Sequence, residues 1–144
     1  MTKREIIEEL KRQIRERIDE LESSLKKEPV PAKGDLGDIA NELHTEQDTR
    51  YIIGIYKRDL AVLSQIPDAR KETVEAGSLV KLKINGEEII RLFAPLQNVY
   101  EAGEVKTAST NSPLFREIKG AKEGVVVKYQ IDGREFVVKI LEIQ

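Results

Sequence analysis

The sequence predicts an α+β chain, in which an antiparallel pair of long helices precedes a small antiparallel sheet carrying one short helix. Three observations predict it. Apolar residues recur at steps of three and four as far as Leu63, the pattern changes to alternation from Gly77, and Asn85-Gly86 and Asp132-Gly133 each separate two alternating runs as two-residue hairpin turns.

The first helix opens at Thr2-Lys3-Arg4-Glu5, a capping-box spacing in which Thr2 satisfies the Glu5 amide and the Glu5 carboxylate reaches back to the amide of Thr2. Ile6, Ile7, Leu10, Ile14, Ile18, Leu21 and Leu25 then draw one apolar stripe along an otherwise charged helix. From Thr2 to Lys27 it would be about 38 Å long at 1.5 Å per residue, long enough to project from a small chain. Pro29 and Pro31 stop it, because each lacks an amide proton and disfavours helix at the residue before it. Helical spacing resumes at Ile39 and Leu43, lapses over the polar run from His44 to Arg50, and returns at Ile53, Tyr56, Leu60 and Leu63 before Pro67. Folded back, the two stripes bury each other, with Leu25 near Leu43, Ile14 near Ile53, and Leu10 near Tyr56 and Leu60. Residues 1–66 thus form a helical hairpin with its tip at 34–42, residues 67–76 a short polar linker suited to a hinge, and residues 77–144 the sheet domain.

In that second part, Leu79–Ile84 and Glu87–Phe93 flank the first turn, and Val125–Ile131 and Arg134–Ile143 flank the second. A strand near Glu104–Ser109 leads into Ser112-Pro113, an N-cap followed by proline at the first helical position, so that Leu114–Lys119 forms a short helix closed by Gly120.

Composition bounds the function. The 144 residues include no cysteine, which removes disulfides and thiolate metal sites, and 24 basic against 26 acidic side chains leave a formal charge of -2. No segment is strongly basic: residues 77–144 hold ten basic and nine acidic side chains, and residues 2–28 hold eight of each. Unaided binding to nucleic acid, which needs lysine and arginine concentrated against several phosphates, is disfavoured. No apolar run approaches the roughly 18 residues of a membrane span, and Met1-Thr2-Lys3-Arg4-Glu5 lacks the apolar core of a secretory signal, so the expected location is the cytoplasm.

The tip reads Gly34-Asp35-Leu36-Gly37-Asp38-Ile39-Ala40-Asn41-Glu42. Asp35 and Asp38 are three apart, which puts both carboxylates on one side of a first helical turn at the end of a projection. Two hard oxygen donors suit Mg²⁺, which binds proteins through one or two carboxylates and keeps its other positions for water or phosphate. They make a partial site, one that the hairpin would complete inside another molecule. A plainer reading stands beside it: aspartate is a favoured N-cap and is favoured in a first turn by the helix dipole, so the pair could simply start the second helix. Both can hold at once, since a capping carboxylate keeps unshared lone pairs.

The layout resembles the bacterial GreA/GreB family of transcript-cleavage and elongation factors. Gly34-Asp35-Leu36-Gly37-Asp38 is similar to that family's G-D-L-x-E tip. Ser112-Pro113, Lys119-Gly120-Ala121-Lys122-Glu123-Gly124 and the run from Val138 to Ile143, ending Leu141-Glu142-Ile143, are similar to its carboxyl-terminal pattern. The resemblance implies an FKBP-like domain over residues 77–144 that docks on bacterial RNA polymerase, and a hairpin that enters the polymerase secondary channel. It implies further that Asp35 and Asp38 act at the polymerase centre, where they share a Mg²⁺ ion with the polymerase and assist cleavage of backtracked RNA; the chain would be an accessory factor and the polymerase the enzyme. Asp38 stands where those factors usually carry Glu and Ile39 where they carry Asn. Asp35-Leu36-Gly37-Asp38-Ile39-Ala40 also looks like the D-x-x-D-x-A tip of the DksA regulators, which use the same channel, although the cysteine zinc finger of DksA is missing. Regulation without efficient cleavage is therefore the alternative. RNA and DNA would be met only through the elongation complex, and a hairpin that threads a pore is expected to be a monomer.

Other candidates fit less well. His44, the one histidine, sits beside acidic residues and reads as a solvated helix position. Lys11, Arg12, Arg15 and Arg17 are interspersed with glutamates and read as a solvated face rather than a contact for RNA. A prolyl isomerase would need a pocket lined by aromatic rings, and Phe93, Tyr100, Phe115, Tyr129 and Phe136 must also serve the core. A structural hairpin adaptor would explain the stripes and leave the acidic tip idle.

Overall fold

The computed structural model describes the backbone of residues 1–26 and 36–144, and the side chains of residues 1–25 and 46–144. Helix α1 spans Lys3–Lys26 and α2 spans Leu36–Ser64. Strands β1 (Leu79–Ile84), β2 (Glu87–Ala94), β3 (Glu101–Ala102) and β4 (Val105–Ser109) follow, then the short helix α3 (Pro113–Ile118) and strands β5 (Val126–Ile131) and β6 (Arg134–Ile143).

Helix α1 begins where its cap requires. The Glu5 amide donates to Thr2 Oγ1 at 3.1 Å as expected, whereas the Glu5 carboxylate accepts from that same hydroxyl at 3.2 Å rather than from the Thr2 amide. Ile6, Ile7, Leu10, Ile14 and Ile18 are all buried, in one core with Ile53 and Leu63 of α2 and with Tyr56 and Leu60 partly buried against it. The helices are tied at their surface as well. Lys57 Nζ meets Glu22 at 3.2 Å. The pairing expected between Leu25 and Leu43 lies outside the described side chains, as does His44.

The six strands form one sheet in the order β3-β4-β2-β1-β6-β5. It is mixed, which corrects the antiparallel sheet expected from the sequence: Ile90 to Ala94 of β2 run parallel to Val105 to Ser109 of β4. A parallel pair needs a crossover between its strands, and residues 95–104 supply one by looping out beneath α2 and returning through the two-residue strand β3. The hairpin turns are as expected. Asn85 and Gly86 take φ of 49° and 87°, and Asp132 and Gly133 take 51° and 78°, the paired positive angles of a primed turn. Helix α3 starts at Ser112, whose Oγ accepts from the Phe115 amide at 3.3 Å, with proline at the first helical position.

Each face of the sheet buries its own core. On one face Leu79, Leu92, Ala94, Ala102 and Val105 join the core of α1 and α2, so the base of the helical hairpin sits directly on the sheet. On the other face Val80, Leu82, Phe93, Val138 and Ile140 pack beneath Phe115 and Ile118 of α3. The stretch 67–76 is stitched to the sheet domain: the Val74 amide donates to Ala121 O at 2.9 Å and the Gly120 amide to Val74 O at 2.7 Å. Arg70 adds an ion pair to Glu123 at 2.7 Å, and the Arg70 Nε donates to Ile143 O at 3.2 Å.

Candidate functional site

Helix α2 is the element that carries the candidate tip. It runs unbroken through 29 residues, so the lapse of apolar spacing between His44 and Arg50 does not interrupt the backbone. Asp38 is the third residue of this helix, roughly 30 Å along the axis from Asp59 at 1.5 Å per residue. The Asp38 side chain lies outside the described residues, and so does Asp35 altogether, immediately before the helix begins. Among the described residues no group of three or more His, Asp or Glu side chains is arranged to hold a metal ion.

What the structure adds is the anchorage at the other end. Asp59 is 1% exposed, on the face of α2 turned to the loop between β2 and β3. Its Oδ1 accepts from the Gln97 amide at 2.8 Å, and its Oδ2 accepts from the Asn98 amide at 3.1 Å and from the Tyr100 hydroxyl at 2.6 Å. Three donors on one buried carboxylate satisfy most of its lone pairs, as removal from water demands. Burial, then the hydrogen bond to Asp59, pushes the Tyr100 phenol well above its ordinary pKa. The Tyr100 backbone is held in turn: its amide donates to Thr107 Oγ1 at 2.8 Å and its carbonyl accepts from the Thr107 amide at 2.9 Å.

Helix α1 is fixed to the sheet side too. The Gln13 side-chain amide donates to Glu101 O at 2.9 Å, and Lys3 Nζ, buried, donates to Ala69 O at 3.0 Å. Burial, reinforced by Lys71, lowers the pKa of Lys3. The Asp59 clamp was not read from the sequence. Its one signal is an acidic residue between Ile55 and Val62 on a helix side otherwise apolar, the position where a carboxylate needs buried donors.

The basic cluster on α1 is occupied by its own helix. Lys11 pairs with Glu8 at 3.3 Å, Arg12 with Glu9 at 2.6 Å and with Glu16, and Arg17 with Glu20 at 3.1 Å. Arg12 and Gln13 together hold the Glu9 carboxyl down at about 2. Aromatic rings serve the core or each other: Phe93 and Phe115 lie 5.3 Å apart and buried, and Tyr129 stacks on Phe136 at 5.2 Å. The ≈ 370 Å³ groove between Met1, Ile6, Ile90 and Glu142 is lined by no aromatic ring, so it lacks what a proline-binding pocket needs. No helix among the described residues is long and apolar enough to cross a membrane.

No family model matches the chain, and no curated protein does. Solved structures give remote likenesses. The GreA factor homolog 1 (Gfh1) of Thermus thermophilus is 16% identical, with 96% of this chain and 92% of that one covered and a TM-score of 0.41. Gfh1 of Thermus aquaticus is 19% identical over 95% and 90%, with a TM-score of 0.42. The prokaryotic transcription elongation factor GreA/GreB from Nitrosomonas europaea is 18% identical over 72% and 92%, with a TM-score of 0.40. Likenesses at these scores are too distant to assign a function.

Proposed function

We propose that the chain is an accessory transcription factor that binds bacterial RNA polymerase and presents Asp35 and Asp38, on its helical hairpin, inside the polymerase secondary channel. The observation that supports this reading is mechanical. Asp38 belongs to a helix that continues without a break to the Asp59 clamp on the sheet domain, which suits a rod that must deliver side chains to a fixed depth. Residues 77–144, FKBP-like by the sequence resemblance, would be the docking domain.

Asp35 and Asp38 offer two hard oxygen donors to a Mg²⁺ ion shared with the polymerase, whose contribution there when bound is activation of water. This chain contributes position. A displacement of about 1 Å can cost a hundredfold in rate, so the stiffness of α2 and its anchorage bear directly on the outcome. The shorter Asp38 in place of the usual glutamate favours a second reading on the same docking mode, a regulator that occupies the channel and modulates or inhibits without efficient cleavage.

The test uses stalled, backtracked elongation complexes with wild-type protein and with Asp35→Ala/Asp38→Ala. Transcript shortening that requires both aspartates supports cleavage. Polymerase binding with altered elongation or initiation but no shortening supports the regulator. No binding to polymerase rejects both.

A further inference from the structure

Asn85-Gly86 and Asp132-Gly133 are the two places in the chain where glycine follows Asn or Asp, and each dipeptide is preceded by isoleucine. Both are exposed in two-residue primed turns, with φ of 49° and 51° at the first position. Neither glycine has a neighbouring atom within 4 Å of where a Cβ would stand. In preceding residue, backbone angle and solvent access the two turns are alike. They differ in what the first side chain touches.

Asn85 is tethered to a neighbouring strand. Strand β1 pairs with β6 as far as Ile84 opposite Val138, and Asn85 carries the pairing one step further. Its amide donates to Val137 O at 3.0 Å, its Oδ1 accepts from the Val137 amide at 2.9 Å, and its Nδ2 donates to Glu135 O at 3.4 Å. The side-chain oxygen thus does what a strand carbonyl would do. Asp132 makes no hydrogen bond or ion pair among the described residues. The cause is topological. Strand β1 is an inner strand, with β6 on the side away from its hairpin partner β2, whereas β5 is an outer strand with no neighbour on the side away from β6. A side chain in the turn after β5 has no second strand to reach.

An Asn or Asp followed by glycine can close into a ring with its own backbone. The glycine amide nitrogen attacks the side-chain carbonyl carbon, Cγ, and glycine permits the approach because it has no Cβ in the way. From Asn, the new N–Cγ bond forms, the Cγ–Nδ2 bond breaks, and ammonia leaves with the amide proton. From protonated Asp, a Cγ–O bond breaks and water leaves. Solvent water then opens the five-membered succinimide at either carbonyl, giving aspartate or isoaspartate, the latter with one more methylene in the backbone. The reaction consumes no oxidant and no cofactor. It requires Cγ to swing onto the next amide, so Asn85 must first release Val137 and Glu135, whereas Asp132 has nothing to release.

We propose that Asp132-Gly133 is a site of spontaneous isoaspartate formation in this chain, and that the tether of Asn85 to β6 protects Asn85-Gly86 from deamidation. The added methylene lengthens a turn whose two residues set the register of β5 on β6, and β6 is the one strand that holds β5. The modification therefore loosens the outer strand. An amide is a better electrophile than a carboxylate, so residue type alone favours reaction at Asn85, and the protection shows only between like residues. Nothing here depends on the tip or on polymerase.

The experiment stores the full chain at neutral pH as wild type, Asp132→Asn and Asn85→Asp, and digests samples over weeks. Mass spectrometry of the peptides reads amide loss as the gain of OH over NH2. Isoaspartate is read by methyl transfer from S-adenosylmethionine with an isoaspartyl methyltransferase. Asn-Gly forms the same primed turn as Asp-Gly, so Asp132→Asn keeps the fold. In that variant the amide introduced at position 132 should be lost about tenfold faster than that of Asn85, the worth of the two side-chain bonds that hold Asn85. In guanidinium, where the tether is gone, the two rates should converge. In Asn85→Asp, isoaspartate should collect at position 132 before position 85, which decides the matter if Asp132→Asn does not fold. Wild type should gain isoaspartate at Asp132. Equal rates at the two amides in the folded chain, a difference that persists in guanidinium, isoaspartate appearing first at position 85 of Asn85→Asp, or none at Asp132 of wild type would each overturn the proposal.

Discussion

The Tyr100 hydroxyl donates to the Asp59 carboxylate at 2.6 Å, joining the loop after β2 to the carboxyl-terminal part of the long helix α2. The same carboxylate accepts the Gln97 and Asn98 amides. Asp59→Ala would leave these donors without a partner in a dry site, and each such group costs about 1–3 kcal/mol. We expect a loss of about 3 kcal/mol in urea unfolding, a smaller loss for Asp59→Asn, and no loss for Arg15→Ala on the exposed face of α1. An Asp59→Ala variant as stable as wild type would show that the clamp contributes nothing.

Alkaline pH should act on the other partner of that bond. Tyr100 holds its proton in the folded chain beyond the ordinary phenol range, while in the unfolded chain it releases it near pH 10. The unfolded state then binds fewer protons, so stability is full below pH 10 and falls as pH rises above it. Lys3 works in the opposite sense: its folded pKa is lowered, so stability rises with pH up to the unfolded value of 10.5. Tyr100→Phe should flatten the fall above pH 10, and Lys3→Met the rise below it, in denaturant midpoints measured across that range.

Gly86 and Gly133 occupy left-handed positions in which an added Cβ meets no neighbouring atom. Alanine there would be opposed by backbone conformation alone. Gly86→Ala and Gly133→Ala should each cost about 1–2 kcal/mol, read as a fall in the urea midpoint with the m-value unchanged.

Leu10 is fully buried where α1 meets both α2 and the sheet. Leu10→Ala should cost about 3–5 kcal/mol through lost burial and the cavity left behind, and Ile14→Val about 1 kcal/mol, both by urea unfolding. Equal losses for the two would mean that the packing around Leu10 collapses into the space.

Local signals were legible in the sequence because their physics is local. The Thr2 cap, the Ser112-Pro113 start of α3 and the two primed turns lie where residue type dictates backbone angle, and the structure has each of them. The alternation of Leu79 to Ile84 likewise resolved two faces, with Leu79 in one core and Val80 and Leu82 in the other. The parallel pairing of β2 with β4 was not legible, because both strands have the same alternation whichever way they run and the direction is set by where residues 95–104 cross. Asp59 was hidden for a related reason: its donors lie 38 to 41 residues away in the chain. The acidic pair at the tip was legible as a motif, since its spacing is local, whereas its use depends on a partner molecule.

Strand β6 lies between β1 and β5 and is the last of the six to leave the ribosome. Until it arrives, β1 lacks one neighbour and β5 lacks its only one, so the nascent domain can hold β1, β2 and β4 but cannot close. The sheet is therefore complete only once β6 has inserted between β1 and β5.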